Sequence, residues 1–412
     1  MSFPAFVRDN IRWLAGGFLL TFFSSFGQTF FISLSAGSIR SEFGLSHGEF
    51  GTLYMLATLA SALVLTQFGR IVDVMSVSRV TLLIVPLLAC FALSMAYADT
   101  LAVLVLAIFG LRLFGQGMMT HNAITAMGRW YVAQRGRAVS VATIGHQAGE
   151  AVLPIVYVSI VAGMGWRNTW LLSAAVLIAV ALPVIYLLMR VERQPRSSDG
   201  PEPMRVLRHW TRAEVVRDPV FWLILLGMLA PGFIGTTIFF HQVYLVELRG
   251  WSIEAFAGSF ALLAVMTVCF ALIGGLLIDR FSAVRLMSSF LVPLAASCFL
   301  LATVEATWGM FAFMLLLGVS YGLSSTLFGA LWPEIYGTRH LGAIRAVVIA
   351  LMVFSTAMGP GVTGFLIDFG VGYPLQILTM GVYCLVICVA MIFISRLLAA
   401  REIAMAHAGR PQ

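Results

Sequence analysis

Lysine is absent from this chain: all 25 basic residues are arginine. That is the mark of a GC-rich bacterial genome and not a functional device. Charge of either sign is scarce, at 10% of 412 residues, where a soluble domain carries about 25%. A soluble fold this apolar would have nothing to cover its surface. The formal net charge of +7 does not indicate nucleic acid, because the arginines sit in loops and at the ends of apolar blocks. No G-x-x-x-x-G-K-S/T phosphate loop exists, which argues against ATP-driven pumping. The histidines are scattered without metal-ligand spacing, so no metal, no cofactor and no enzyme site is expected. Cys90, Cys269, Cys298, Cys384 and Cys388 all lie inside apolar blocks. Cys384 and Cys388 share a helix face, but no His or carboxylate joins them, so they read as packing residues.

What is present is hydrophobic, 60% of the residues. It comes in blocks such as Trp13 to Gly37, Val80 to Tyr97, Leu101 to Leu111, Asn168 to Met189, Val220 to Phe240 and Leu375 to Ser395. A span needs about 20 mostly apolar residues, and lipid leaves open backbone groups no partner, so each block must be a helix. Twelve blocks are discernible. The expected fold is therefore an all-α membrane protein of twelve transmembrane helices. Arg8, Asp9 and Arg12 lead straight into the first block, which is too long for a cleavable signal and is expected to act as an uncleaved anchor.

With the N-terminus inside, 21 arginines fall on the inner side, and only Arg40, Arg167 and Arg249 fall outside. The positive-inside rule then makes both termini cytoplasmic. The longest polar stretch, Arg190 to Pro219, has linker composition, with Pro195, Gly200, Pro201 and Pro203. The expected organisation is a six-helix bundle over 1–190 and a cytoplasmic linker over 191–218. A second six-helix bundle over 219–398 and a tail over 399–412 follow.

The halves repeat. Val7-Arg8-Asp9 and Trp13 recur 209 residues later as Val216-Arg217-Asp218 and Trp222. Phe30-Phe31 recur as Phe239-Phe240, and Arg40 as Arg249. Beyond the first outer loop the offset becomes 206, pairing Gly69 with Gly275, Asp73 with Asp279, Arg79 with Arg285, Gly136 with Gly342 and Pro154 with Pro360. Asp9 and Asp218 are positioned to N-cap the first and seventh helices. Pro154 and Pro360 lie deep in the fifth and eleventh, where a proline frees a carbonyl and bends the helix. With Gly359 they are the hinge candidates.

These motifs resemble the major facilitator superfamily over nearly the whole chain. Its loop signature is matched by GRIVDVMSVSR (Gly69 to Arg79) and again by GLLIDRFSAVR (Gly275 to Arg285, including Arg280). Val74 stands where the family has an arginine. The resemblance implies two bundles that move solutes by alternating access. It implies that Gly69 and Gly275 allow close helix packing at a cytoplasmic gate, which Asp73 and Asp279 help to hold. RLFGQG (Arg112 to Gly117) matches a second family motif. Arg129 to Pro154, GWR at Gly165 to Arg167, and PEIYGTRHLGAIR (Pro333 to Arg345) are similar to the monocarboxylate and oxalate:formate branch. Organic-anion carriers of that kind place cations in helices 8 and 11. Here the eighth helix (Ala255 to Leu277) has none, and the eleventh has only Arg345.

A charge at the bilayer centre costs about 2.5–3.5 kcal/mol on insertion scales, yet Arg112 and Glu150 lie deep. At ~1.5 Å per residue they sit at similar depths, ~24 Å and ~20 Å from the inner helix ends. An ion pair between them is expected. It is either a proton-linked switch that releases Arg112 to an anion or a static pair that sets helix register. His146 shares a face with Glu150. His121, nine residues after Arg112, falls on the opposite face and suits a packing or hydrogen-bonded role. His241 and Gln242 near the outer end of the seventh helix, Gln28 in the first and Tyr321 in the tenth complete the pathway candidates.

The expected function is a secondary active transporter of a small organic solute, carboxylate-like by preference, with protons as the candidate coupling ion. The alternatives are a drug or metabolite exporter of the same fold and a non-transporting membrane sensor. The expected setting is a bacterial inner membrane, with small-molecule substrate and lipid as partners, no nucleic acid, and a monomeric state.

Overall fold

The structure, a computed structural model, describes residues 3–131, 135–193, 210–337 and 340–408, and all of its regular structure is helical. The main helices of the first half are α1 (Phe3–Phe23), α2 (His47–Phe68), α3 (Val77–Ala96), α4 (Leu101–Trp130), α5 (136–164) and α6 (166–189). Those of the second are α7 (Pro219–Phe240), α8 (Ile253–Phe281), α9 (Val292–Thr303), α10 (Thr307–Tyr336), α11 (Leu341–Asp368) and α12 (Tyr373–Ala408).

Among the described residues nine helices are long and apolar enough to cross a bilayer. The count is ten when α1 and its bent continuation to Phe43 are taken as one span. One of the nine runs unbroken from Gly136 to Met189 by hydrogen bonding. At about 1.5 Å per residue it is far longer than a bilayer. Gly165 divides it: its φ of 75° and ψ of 167° are open only to a residue without Cβ. α9 is 12 residues long.

Three local expectations change. The Leu101 block does not stop at Leu111; the helix runs to Trp130 and is wound as a π-helix over Leu111–Met119. The Trp13 block is not one helix but breaks at Ser24–Gln28 and bends by 44°. Asp9 caps nothing: the helix already begins at Phe3, and Asp9 sits beside Arg8 on its exposed side. Asp218 does cap α7, its Oδ1 accepting the Val220 N–H at 3.1 Å.

The repeat is visible in the turns. Gly44 and Gly250, 206 residues apart, both take left-handed conformations (φ 63° and 62°) that end the short helices following α1 and α7. Ser46 and Ser252 follow at the same spacing and cap α2 and α8. The offset thus slips from 209 to 206 between Arg40 and Gly44.

The chain forms two compact units. The first holds Met1–Glu202 with Phe239–Ala261 and Pro360–Asp368, that is, the end of α7, the start of α8 and the end of α11. Inside it α1 lies close on α4 and α5. Gly27 touches Gly115, and Gly149 touches Ser25, so backbones meet where a side chain would keep them apart. Thr21 Oγ1 donates to the Ala142 carbonyl. Arg167 ties the connections after α1 and α3 together, donating to Glu42 at 2.5 Å and to the carbonyls of Ala96 and Ala98 at 2.6 Å. The second unit comprises Pro203–Ile238, Leu262–Gly359 and Phe369–Gln412. There Asp218 also accepts Arg401 at 2.9 and 3.2 Å and the Tyr336 hydroxyl at 3.2 Å. α12 exposes Val382, Val386, Val389 and Phe393 on one face. That spacing gives an apolar stripe along a helix, which suits contact with lipid.

Candidate functional site

The site is built around the break in α1. Ser24–Gly27 winds as a 3₁₀ turn, and Gln28 is extended (φ −86°, ψ 153°) before the chain resumes as Thr29–Ile32. A break takes carbonyls out of the helical ladder and leaves them needing donors. One donor is Arg112, from the π-wound part of α4. Its Nη1 donates to the Gly27 carbonyl at 3.3 Å and to Thr29 Oγ1 at 3.2 Å. Tyr54 of α2 donates its hydroxyl to the same Thr29 oxygen at 2.8 Å, and its ring centroid lies 5.5 Å from the guanidinium carbon.

Arg112 is 3% exposed. Its partners are neutral: a carbonyl, a hydroxyl and an aromatic face. Among the described residues no ion pair includes it, and its Nε is buried with no hydrogen bond. The expected Arg112–Glu150 pair is therefore not formed in this conformation. The physical reason is the break in α1, which supplies carbonyl and hydroxyl oxygens nearer to Arg112 than the carboxylate.

Glu150, 4% exposed, stands on α5 one residue beyond Gly149, where α5 touches α1 at Ser25. No hydrogen bond to its carboxylate is found among the described residues. His146, one turn earlier, faces Phe30 with ring centroids 6.1 Å apart. The break in α1 therefore brings α4 and α5 chemistry to one region of the first unit. Gln28, half-buried, is the extended residue of that break.

His121 is exposed and lies by Gly69, where a Cβ would meet its ring at 3.6 Å. His241 is the residue at which α7 breaks (φ −93°, ψ 19°), and its Nε2 is 3.2 Å from the Pro360 carbonyl. Gln242, fully buried, donates to the Phe30 carbonyl and to Ser33 Oγ, both at 2.8 Å. Tyr321 is in the second unit, its hydroxyl against Gly235 of α7. Gly359 touches Thr237 there, while Pro154 and Pro360 lie within continuous helices.

Of the gate candidates, Gly69 closes α2, its N–H donating to the Leu65 carbonyl at 2.8 Å. No neighbour lies where a Cβ on Gly275 would fall, so in this conformation that glycine makes no close helix contact among the described residues. Arg79, Arg280 and Arg285 are exposed. The side chains of Asp73 and Asp279 lie outside the described residues. The connections after α2 and α8 are held by residues to which the sequence assigned no gate role, although Arg129 and Glu334 fall within its quoted motifs. Glu192 accepts the Val77 N–H at 3.0 Å, Arg129 donates to the Val72 carbonyl at 2.6 Å, and Glu334 accepts the Ala283 N–H at 2.9 Å. Thr29 and Tyr54 were equally hidden, since a lone threonine and a lone tyrosine in apolar blocks carry no pattern. The buried charges of Arg112 and Glu150 advertised the site.

Comparison with known proteins agrees with this architecture. The model of the Major Facilitator Superfamily matches residues 17–348. A probable sulfoacetate transporter, SauU of Cupriavidus necator, is 24% identical over 408 residues, covering 93% of this chain and 94% of that protein. Two crystal structures of a bacterial homologue of the human lysosomal transporter Spinster share the fold. The inward-facing unoccupied form has a TM-score of 0.68 at 17% identity, covering 97% of each chain. The inward-facing occupied form has a TM-score of 0.63 at 18% identity, covering 99% of this chain and 98% of that one. The chain belongs to the Major Facilitator Superfamily and is a multi-pass membrane transporter, not an enzyme.

Proposed function

We propose that this protein is a secondary active transporter of a small organic anion, a carboxylate or sulfonate, working by alternating access in a bacterial inner membrane. In this reading the chain spans twelve times with both termini cytoplasmic, and bundles over 1–190 and 219–398 are joined by the linker over 191–218.

The observation that carries the proposal is the unneutralised guanidinium of Arg112. A buried cation without a carboxylate is costly, and one that binds a transported anion is neutralised by its cargo. Nη1 is committed to Gly27 and Thr29. The Nε–Nη2 edge is left, a fork that matches two oxygens of a carboxylate or sulfonate. A sulfonate is supported by the name of the Cupriavidus necator relative. The absence of basic residues from the Ala255 to Leu277 stretch of α8 is accommodated when Arg112 is the anchor. Glu150 supplies a protonatable group close to the same break in α1. Protonating it as the anion binds would keep the loaded cavity nearer neutrality and couple uptake to protons.

The test is uptake into proteoliposomes of sulfoacetate and a panel of short carboxylates and sulfonates, with and without an inward proton gradient. Saturable accumulation of at least one anion, accelerated by the gradient, is expected. Uptake of neutral or cationic solutes alone would overturn the reading.

A further inference from the structure

Ser33 and Gln242 are equivalent positions of the internal repeat, 209 residues apart, as are Phe30 and Phe239. In the first compact unit these four residues contact one another reciprocally. Ser33 Oγ donates to the Phe239 carbonyl at 2.7 Å, and Gln242 Nε2 donates to the Phe30 carbonyl at 2.8 Å. Each side chain thus reaches the same backbone atom of the opposite copy. The two meet each other as well, Gln242 Nε2 donating to Ser33 Oγ at 2.8 Å. Both residues are fully buried.

The backbone explains why these carbonyls are available. Phe239 is in the last turn of α7, just before the break at His241, and Phe30 is in the short turn after the break in α1. Carbonyls at helix ends lack intrahelical donors. In water a solvent molecule would serve them; at depth in a bilayer a partner must come from the protein. Each copy's side chain therefore supplies what the other copy's broken helix lacks. Around this cluster the contact is apolar. Phe240 stacks on Phe50 and packs against Tyr54, and Phe260 packs against both Phe30 and Phe239.

We propose that Ser33 and Gln242 form a two-fold-related latch that holds the broken outer segments of α1 and α7 together whenever the outer side of the transporter is closed. Opening that side separates α1 from α7 and breaks all three hydrogen bonds at once, so the latch weights the equilibrium toward the outer-closed state. The inference rests on the part of the proposed function in which the outer side opens and closes, not on the anionic substrate or on reciprocal opening of the inner side.

The test measures closure directly, without substrate. In a chain whose five cysteines are replaced by alanine, Ala36→Cys places a thiol in the outer pocket it lines with Arg40, His47 and Tyr244. Ser61→Cys in a second chain reports on the inner half of α2. Labelling by a membrane-impermeant maleimide is followed in oriented vesicles. Ser33→Ala and Gln242→Leu are each expected to speed outer labelling, by roughly two- to tenfold per hydrogen bond lost. The exchange variant, Ser33→Gln with Gln242→Ser, preserves the reciprocal arrangement and is expected to return labelling toward the parent rate. That rescue would not follow from simple damage to packing. Parent-like labelling in both single variants, or an exchange variant that labels as fast as the Ser33→Ala/Gln242→Leu double, overturns the latch. Inner labelling that falls as outer labelling rises supports both the latch and alternation. Inner labelling that stays constant supports the latch and removes alternating access. Failure of every anion to be transported bears on the substrate alone.

Discussion

Replacing Arg112 by glutamine separates a binding role from a structural one, because the two predict different changes in stability. Glutamine cannot reproduce the Nε–Nη2 fork. A hydrogen bond to a charged group contributes about 1.5–3 kcal/mol, and the fork makes two, partly offset by the cost of desolvating the anion. A net loss of about 3 kcal/mol corresponds to roughly 150-fold weaker anion binding. Glutamine also removes a cation that is 3% exposed with only neutral partners, whose placement costs about 2.5–3.5 kcal/mol on insertion scales. The two hydrogen bonds lost to Gly27 and Thr29 have a charged donor but are long, 3.3 and 3.2 Å, and at the low end of the charged range are worth about 3 kcal/mol together, which roughly offsets that cost. The substrate-free protein should therefore keep its thermal midpoint, while KM for the transported anion rises by two orders of magnitude. Arg112→Lys keeps charge but not the fork and should fall between. The assays are proteoliposome uptake and thermal unfolding of the detergent-purified transporter. A variant that is clearly destabilised yet transports with the parent KM would refute the reasoning and make Arg112 a clamp for the α1 break.

Glu150→Gln should abolish acceleration of uptake by a proton gradient while sparing anion exchange at zero gradient; pH dependence identical to the parent would remove Glu150 from coupling. Arg401→Ala leaves the buried Asp218, among the described residues, with Tyr336 and the Val220 N–H. Since Arg401 is about one-third exposed, solvent discounts the loss, and a stability decrease of about 1–2 kcal/mol is expected in thermal unfolding. Gly51→Val should slow transport with little change in the amount of folded protein. Its Cβ would fall 2.5 Å from the Pro360 carbonyl and force apart the outer parts of α2 and α11, at about 1–3 kcal/mol; uptake at the parent rate would show that this close approach is dispensable.

The membrane class, the helical fold and the internal repeat were legible in the residues alone. Each depends on patterns that survive in one dimension: apolar runs as long as a bilayer is thick, arginine placement, and motifs recurring at fixed offsets. Arg112 and Glu150 stood out for a related reason, since a charge in an apolar run is costly wherever the chain folds. The arrangement of these groups was not legible. Depth arithmetic brought Arg112 to Glu150, but the break in α1 brought Gly27 and Thr29 closer, and nothing in Ser24–Gln28 distinguishes a break from a polar patch on a continuous helix. The same holds for Ser33 and Gln242. The 209-residue repeat makes them equivalent, but a serine and a glutamine do not look alike in sequence. Only the tertiary structure, by placing two broken helices where neither can reach water, made each the donor that the other's backbone requires.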